Sequence, residues 1–197
     1  MTLENLSMGA IHEAGHAVAA MRLRMPIDRV TLDRKGGGRA VFSPRFFSIR
    51  TILKDTEGTG RFATASEIEQ MKAAKERAFA QKGLISLFAG MAAERAFNPG
   101  TDEKAIQECG AGDLAEARRI ARKFFRVSKE DMPLFLEKFD QKARKMLEDI
   151  SLKIVLLDIA RELDKRGQIT ARDCRKAYEY FRQVNALRSI ARAEAAD

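Results

Sequence analysis

Near the start of the chain, Leu3, Leu6, Ala10, Ala14, Ala17, Val18 and Met21 recur at the spacing of a helix face. The same stretch carries both histidines of the chain, His12 and His16. Four residues apart on a helix, two imidazoles lie one turn above each other on one face. Any fold must therefore give both rings polar partners at one place. The helix is expected to end before Met25-Pro26, because proline cannot continue it and disfavours helical backbone in the residue before it.

Further along, Val30-Thr31-Leu32 and Ala40-Val41-Phe42 flank Gly36-Gly37-Gly38 and read as two short strands joined by a glycine turn. From Ser43 to Ala63 the pattern is irregular, with Pro44, Gly58 and Gly60, and a loop is expected. Ser66-x-x-Glu69 reads as a capping box opening a helix. A separate helix is expected from Gly83 to Phe97, stopping at Asn98-Pro99-Gly100. Gly110-Ala111-Gly112 leads into Asp113, read as the N-cap of a helix reaching Phe125. Pro133 opens a helix that Leu136, Phe139, Ala143, Leu147, Ile150 and Ile154 carry to Leu163, with Gly167 as its stop. Thr170-x-x-Asp173 opens a last, arginine-rich helix. The expected fold is mainly α with a small β-sheet, an α+β class ending in a helical C-terminal bundle. Residues 1–127 would form the core with the first helix, the sheet and the Asp113 helix. Residues 128–197 would be a helical subdomain packed on it.

Composition limits the function classes. Hydrophobic residues are 45% of the chain and charged residues 32%, enough apolar material for an ordinary core. Two cysteines, Cys109 and Cys174, make no disulfide framework and fit a reducing compartment. The longest apolar stretches, Gly83 to Ala93 and Ile154 to Ala160, are too short for a membrane span, and no signal-peptide pattern begins the sequence. The expectation is a cytoplasmic protein without a membrane partner. Lys and Arg outnumber Asp and Glu by 36 to 28, a formal charge of +8. No nucleic-acid motif accompanies that charge, so a solvated basic surface is expected and nucleic acid is not.

The chemistry lies in His12-Glu13-Ala14-Gly15-His16. Both rings can reach one ion, and Glu13, offset by one residue, can approach a water beside that ion without binding it. Zinc lowers the pKa of such a water to about 7, and a neighbouring carboxylate can take its proton as it attacks a carbonyl. The motif therefore points to Zn²⁺ with Glu13 as the general base. A catalytic zinc needs three protein ligands, and no third histidine exists. Glu94, Asp113 and Cys109 are the candidates, and spacing alone does not choose among them. Cys109 reads more simply as a small buried residue.

Three stretches resemble the peptidase domain of the FtsH-type AAA proteases. They are His12 to Val18 with the following Asp28-Arg29-Val30-Thr31-Leu32, then Leu87 to Glu94, then Gly110-Ala111-Gly112-Asp113-Leu114 with Ala117, Ile120, Ala121 and Arg122. The resemblance runs from about Met8 to about Ala177 and is specific only in those motifs. It implies a zincin-like metal helix, with Asp113 as third zinc ligand and Glu94 as a glutamate near the site. It also implies a substrate strand at Arg39, Ala40, Val41 and Phe42. The activity implied is zinc-dependent endopeptidase action on polypeptide. The sequence carries no G-x-x-x-x-G-K-[ST] loop, and its segment between Phe42 and Gly83 is longer than the family counterpart. Hydrolysis without ATP is therefore expected, on unfolded or flexible segments or with a separate unfoldase or adaptor. A homo-oligomer is expected from the apolar stripes after Pro133 and from the association of related domains. The alternatives are a narrow regulatory peptidase and an inactive zinc-containing basic binding module.

Overall fold

The computed structural model describes residues 6–33, 38–42, 64–180 and 183. Helix α1 is Met8–Arg22, followed by strands β1, Ile27–Leu32, and β2, Gly38–Phe42. Helix α2 is Ala65–Phe97, α3 is Glu103–Cys109 and α4 is Ala111–Phe125. Then come α5, Met132–Leu147, α6, Ile150–Arg166, strand β3, Gln168–Thr170, and a last helix, α7, over residues 171–180. The class is the mostly helical α+β fold expected. The loop expected at Ser43 to Ala63 lies outside the described residues, as does most of the arginine-rich C-terminus.

Every residue of α1 from Ala10 to Ala20 is buried. A helix buried all round belongs inside a core, and α1 is the central rod here. It packs against α2, α6, β1 and β2. Small residues make this possible. A Cβ added at Gly15 would stand 2.5 Å from the Ala89 carbonyl oxygen and 2.8 Å from the Ala93 Cβ. Helices α1 and α2 thus meet nearly backbone to backbone. Ser7 caps α1, accepting from the Ala10 N–H at 3.2 Å, and its hydroxyl donates to Asp164 of α6 at 2.6 Å.

The sheet order is β2-β1-β3, antiparallel throughout, so β2 is an edge. Val30 stands opposite Ala40, and Thr31 opposite Arg39. The Leu32 N–H donates to the Gly167 carbonyl at 2.8 Å, on the β3 side. Main-chain groups alternate along a strand, so those of Thr31 face β2 and those of Val30 do not. Across the pair, the main-chain groups of Gly38 and Ala40 consequently face away from β1, towards an edge left open among the described residues.

Four local expectations are corrected. The two helices expected around Ser66 and Gly83 are one helix, and its capping box is Thr64 with Glu67 rather than Ser66 with Glu69. Gly83 in a helix interior costs about 1 kcal/mol relative to alanine, too little to stop a helix whose following turns are buried. Asp113 is not the N-cap of α4; Gly110 is, and Asp113 is the third residue inside the first turn. The long helix expected from Pro133 is two helices, because Asp149 caps α6 by accepting from the Ser151 N–H at 2.9 Å. Helix α3 and strand β3 were not expected at all. Two end signals hold: Gly167 ends α6 in the left-handed region, and Thr170 with Asp173 forms the box opening α7, whereas the turn expected at Gly36-Gly37 lies outside the described residues.

Buried apolar residues from Ala10 to Cys174 form one cluster. A polar clamp ties the end of α2 to its neighbours. Arg95 pairs with Glu103 of α3 and, at 3.0 Å, with the buried Asp140 of α5. That pairing holds the Glu103 carboxyl down at about 2, chiefly through the Arg95 hydrogen bond, against burial. The clamp sets where α3 delivers the chain into α4, and so where Asp113 stands. Among the described residues, no helix is long and apolar enough to cross a membrane.

Candidate metal centre

His12, Glu13 and His16 are each about 5% exposed, although they are polar. Groups so buried need partners, and the rings have them on both sides. The His16 Nδ1–H donates to the Ser86 carbonyl at 2.6 Å, and the His12 Nδ1–H donates to the buried Glu94 carboxylate. Both rings are thereby held as Nδ1–H tautomers with Nε2 free. Asp113 Oδ2 lies 2.9 Å from His12 Nε2 and 3.1 Å from His16 Nε2. One carboxylate oxygen and two ring nitrogens converge, from α1 and from the first turn of α4.

With neutral rings this arrangement holds three lone pairs and no proton between them. Positive charge at its centre, from a metal ion or a proton, stabilises it. Burial opposes a charge on His12, but the hydrogen bonds and charges of Asp113 and Glu94 outweigh it and raise the ring to about 9. Asp113 responds in the opposite sense: burial pushes its carboxyl up, but the hydrogen bonds and charges of His12 and His16 hold it well below the usual range.

Glu13 is one residue away from this triangle and differs from it. Burial raises its carboxyl above the ordinary range, against the charges of His16 and His12 and a main-chain hydrogen bond from Ala40. Its Oε2 is buried without a hydrogen-bond partner among the described residues. A buried unpaired carboxylate oxygen is costly and marks a place where a further polar group belongs. Ligand atoms of His12, Glu13 and His16 lie within 4.8 Å of one another.

The donor set suits zinc. Bonds of about 2.0–2.1 Å in a tetrahedron put neighbouring donors about 3.3 Å apart, close to the spacing of Asp113 Oδ2 from the two nitrogens. Of the sequence candidates, Asp113 is on the Nε2 side of His12 and Glu94 on the Nδ1 side, so the two cannot exchange roles. Cys109 groups with Glu94 and His12, also within 4.8 Å. Its thiol is pushed up to about 11 by partial burial and then by the charge and hydrogen bond of Glu94, but as a residue Cys109 is exposed, not buried as expected, because it lies at the outer end of a short surface helix. Arg39 to Phe42 lie in the edge strand β2, next to Glu13.

Two participants were not foreseen. Ser86 acts through its main-chain carbonyl, a group that every residue carries, so the sequence holds no signal for it. Gly90 leaves room for the His12 ring: a Cβ there would stand 2.5 Å from Nε2 and 2.7 Å from Cδ2 and Cε1. A glycine between buried alanines on α2 was the available hint. No family model matches the chain, and no curated protein matches it.

Proposed function

We propose that the chain is a zinc-dependent endopeptidase, akin to the FtsH-type peptidase domain, that hydrolyses unfolded or flexible polypeptide segments. The observation that supports this best is the convergence of the His12 and His16 Nε2 atoms on one Asp113 oxygen, beside a buried carboxylate whose Oε2 has no partner among the described residues. His12, His16 and Asp113 would hold the ion. When bound, zinc supplies Lewis-acid activation of a water and of the peptide carbonyl. Glu13 then accepts the proton of the attacking water and returns it to the leaving amine. Glu94 and the Ser86 carbonyl keep the rings oriented throughout. The open edge of β2 offers main-chain groups to an extended segment, which selects for chain that is not already folded. No residue of the site calls on a nucleotide.

The test is metal analysis of the purified protein, coupled to cleavage of an unstructured casein-like protein with ATP absent. Stoichiometric zinc and cleavage abolished by chelation are expected. Zinc without hydrolysis of any unfolded protein would favour a binding module that keeps its metal for structure. Protein that binds no zinc would end the reading.

The metal-free electrostatics yield a further expected result. At pH 7 the His12 proton must leave before an ion can enter. Raising the pH removes that competitor, so zinc affinity should rise about tenfold per pH unit from 7 towards 9 and then level off. Calorimetric titration in buffers of different ionisation enthalpy reads the released proton directly. Affinity unchanged across that window would mean that the metal-free His12 ring carries no proton there.

A further inference from the structure

Strand β2 enters the site at a residue with no side chain. Gly38 stands opposite Leu32, on the same face as Val30, which is fully buried. That face looks towards α1. A Cβ at Gly38 would stand 2.8 Å from Glu13 Cδ and closer still to Cγ. It would also stand 2.6 Å from the Thr31 carbonyl oxygen. The glycine is not required for its backbone angle, since the one positive-φ glycine among the described residues is Gly167. Space is the reason.

We infer that Gly38 is the positioning residue for the general base: its bare Cα is the floor on which the Glu13 side chain lies. The methylene part of Glu13 rests on Gly38, and two residues on, the outward-facing main chain of Ala40 reaches its carboxylate. Side chain and strand are therefore in one register. The open edge that would receive an extended peptide is built from the same residues that fix the base. The base and the candidate substrate edge are thus carried by one element. Gly38 acts on the reaction only through Glu13, and in catalysis this assignment rests on the peptidase reading.

Two measurements test it. The first is a stability cycle on the full chain with Gly38→Ala, Glu13→Ala and the double variant, unfolded by denaturant. The Gly38→Ala loss should shrink when Glu13 is alanine, because the obstruction from its side chain is gone and only that from the Thr31 carbonyl remains. An equal loss in both backgrounds, or failure to fold in both, would assign the obstruction to the Thr31 carbonyl and overturn the proposal. The second is kinetic. Gly38→Ala should keep the parent's zinc content and nearly its KM, while kcat falls on the order of 10²-fold, the effect of misplacing a catalytic group by about 1 Å. Combined with Glu13→Asp, it should be no slower than the slower single variant, since both displace the same carboxylate. Losses that multiply, or zinc lost with activity, would make Gly38 a merely structural residue. A parent that hydrolyses nothing would end the peptidase reading, and the stability cycle would still decide whether Gly38 places Glu13.

Discussion

Glu13→Gln should lose hydrolysis by about 10²–10⁴-fold while zinc content and melting temperature stay near the parent values. Glutamine keeps the length and most of the shape of glutamate, so its stem still lies beside Gly38. It removes the proton acceptor and nothing from the set of His12, His16 and Asp113. The unpartnered Oε2 becomes part of a neutral amide, and the burial that raises the carboxyl pKa no longer opposes a charge. Stability should therefore hold or rise slightly. The assay is cleavage of an unstructured protein by zinc-loaded parent and variant, with metal content measured on the same samples. Equal rates would move the base elsewhere. Loss of zinc together with activity would place Glu13 among the ligands.

Asp113→Asn should have the largest effect on metal, weakening zinc binding by more than about 100-fold, beyond the 10–100-fold typical of a residue that only orients a ligand. The reason is charge and position together. Asp113 Oδ2 is an anionic atom within 3.1 Å of both ring nitrogens, and asparagine would present there a weaker oxygen or an N–H. Glu94→Gln provides the internal comparison. It leaves the three converging atoms in place and weakens only the grip on His12 Nδ1, so its loss should fall inside the 10–100-fold range. The Asp113 variant should also return the His12 ring towards its ordinary titration, because the hydrogen bond to Asp113 is the largest influence raising it. An NMR titration of the metal-free ring reads this. Unchanged metal content in the Asp113 variant would remove it from the ligand set.

How far the site was legible depends on how local each part is. His12, Glu13 and His16 lie within five residues of one helix, and helical periodicity alone puts the two rings on one face. Asp113 arrives from about a hundred residues away, and spacing left it level with Glu94 and Cys109. What separated them is which edge of the His12 ring each one meets, a fact of helix packing. The cap position expected for Asp113 was wrong by three residues, and the error has chemical content. Inside the first turn of α4 its carboxylate is free of capping and sits where the helix dipole favours a negative charge.

By itself, the sequence determined the first helix, its pair of histidines, the general-base candidate, the α+β class and the stops at Gly167 and Asn98. All of these rest on interactions within about one or two turns of chain, where backbone preference and side-chain period act directly. The tertiary structure decided the rest. It carried α2 through Gly83, divided the helix at Asp149 so that α6 could lie along α1, and added β3, too short to show a period. It also brought Ser86, Gly90 and Gly38 against His16, His12 and Glu13. A main-chain carbonyl and a missing side chain leave no pattern along the chain, because their meaning is the space they leave or the direction they face. That space exists only once α1, α2 and β2 are packed together.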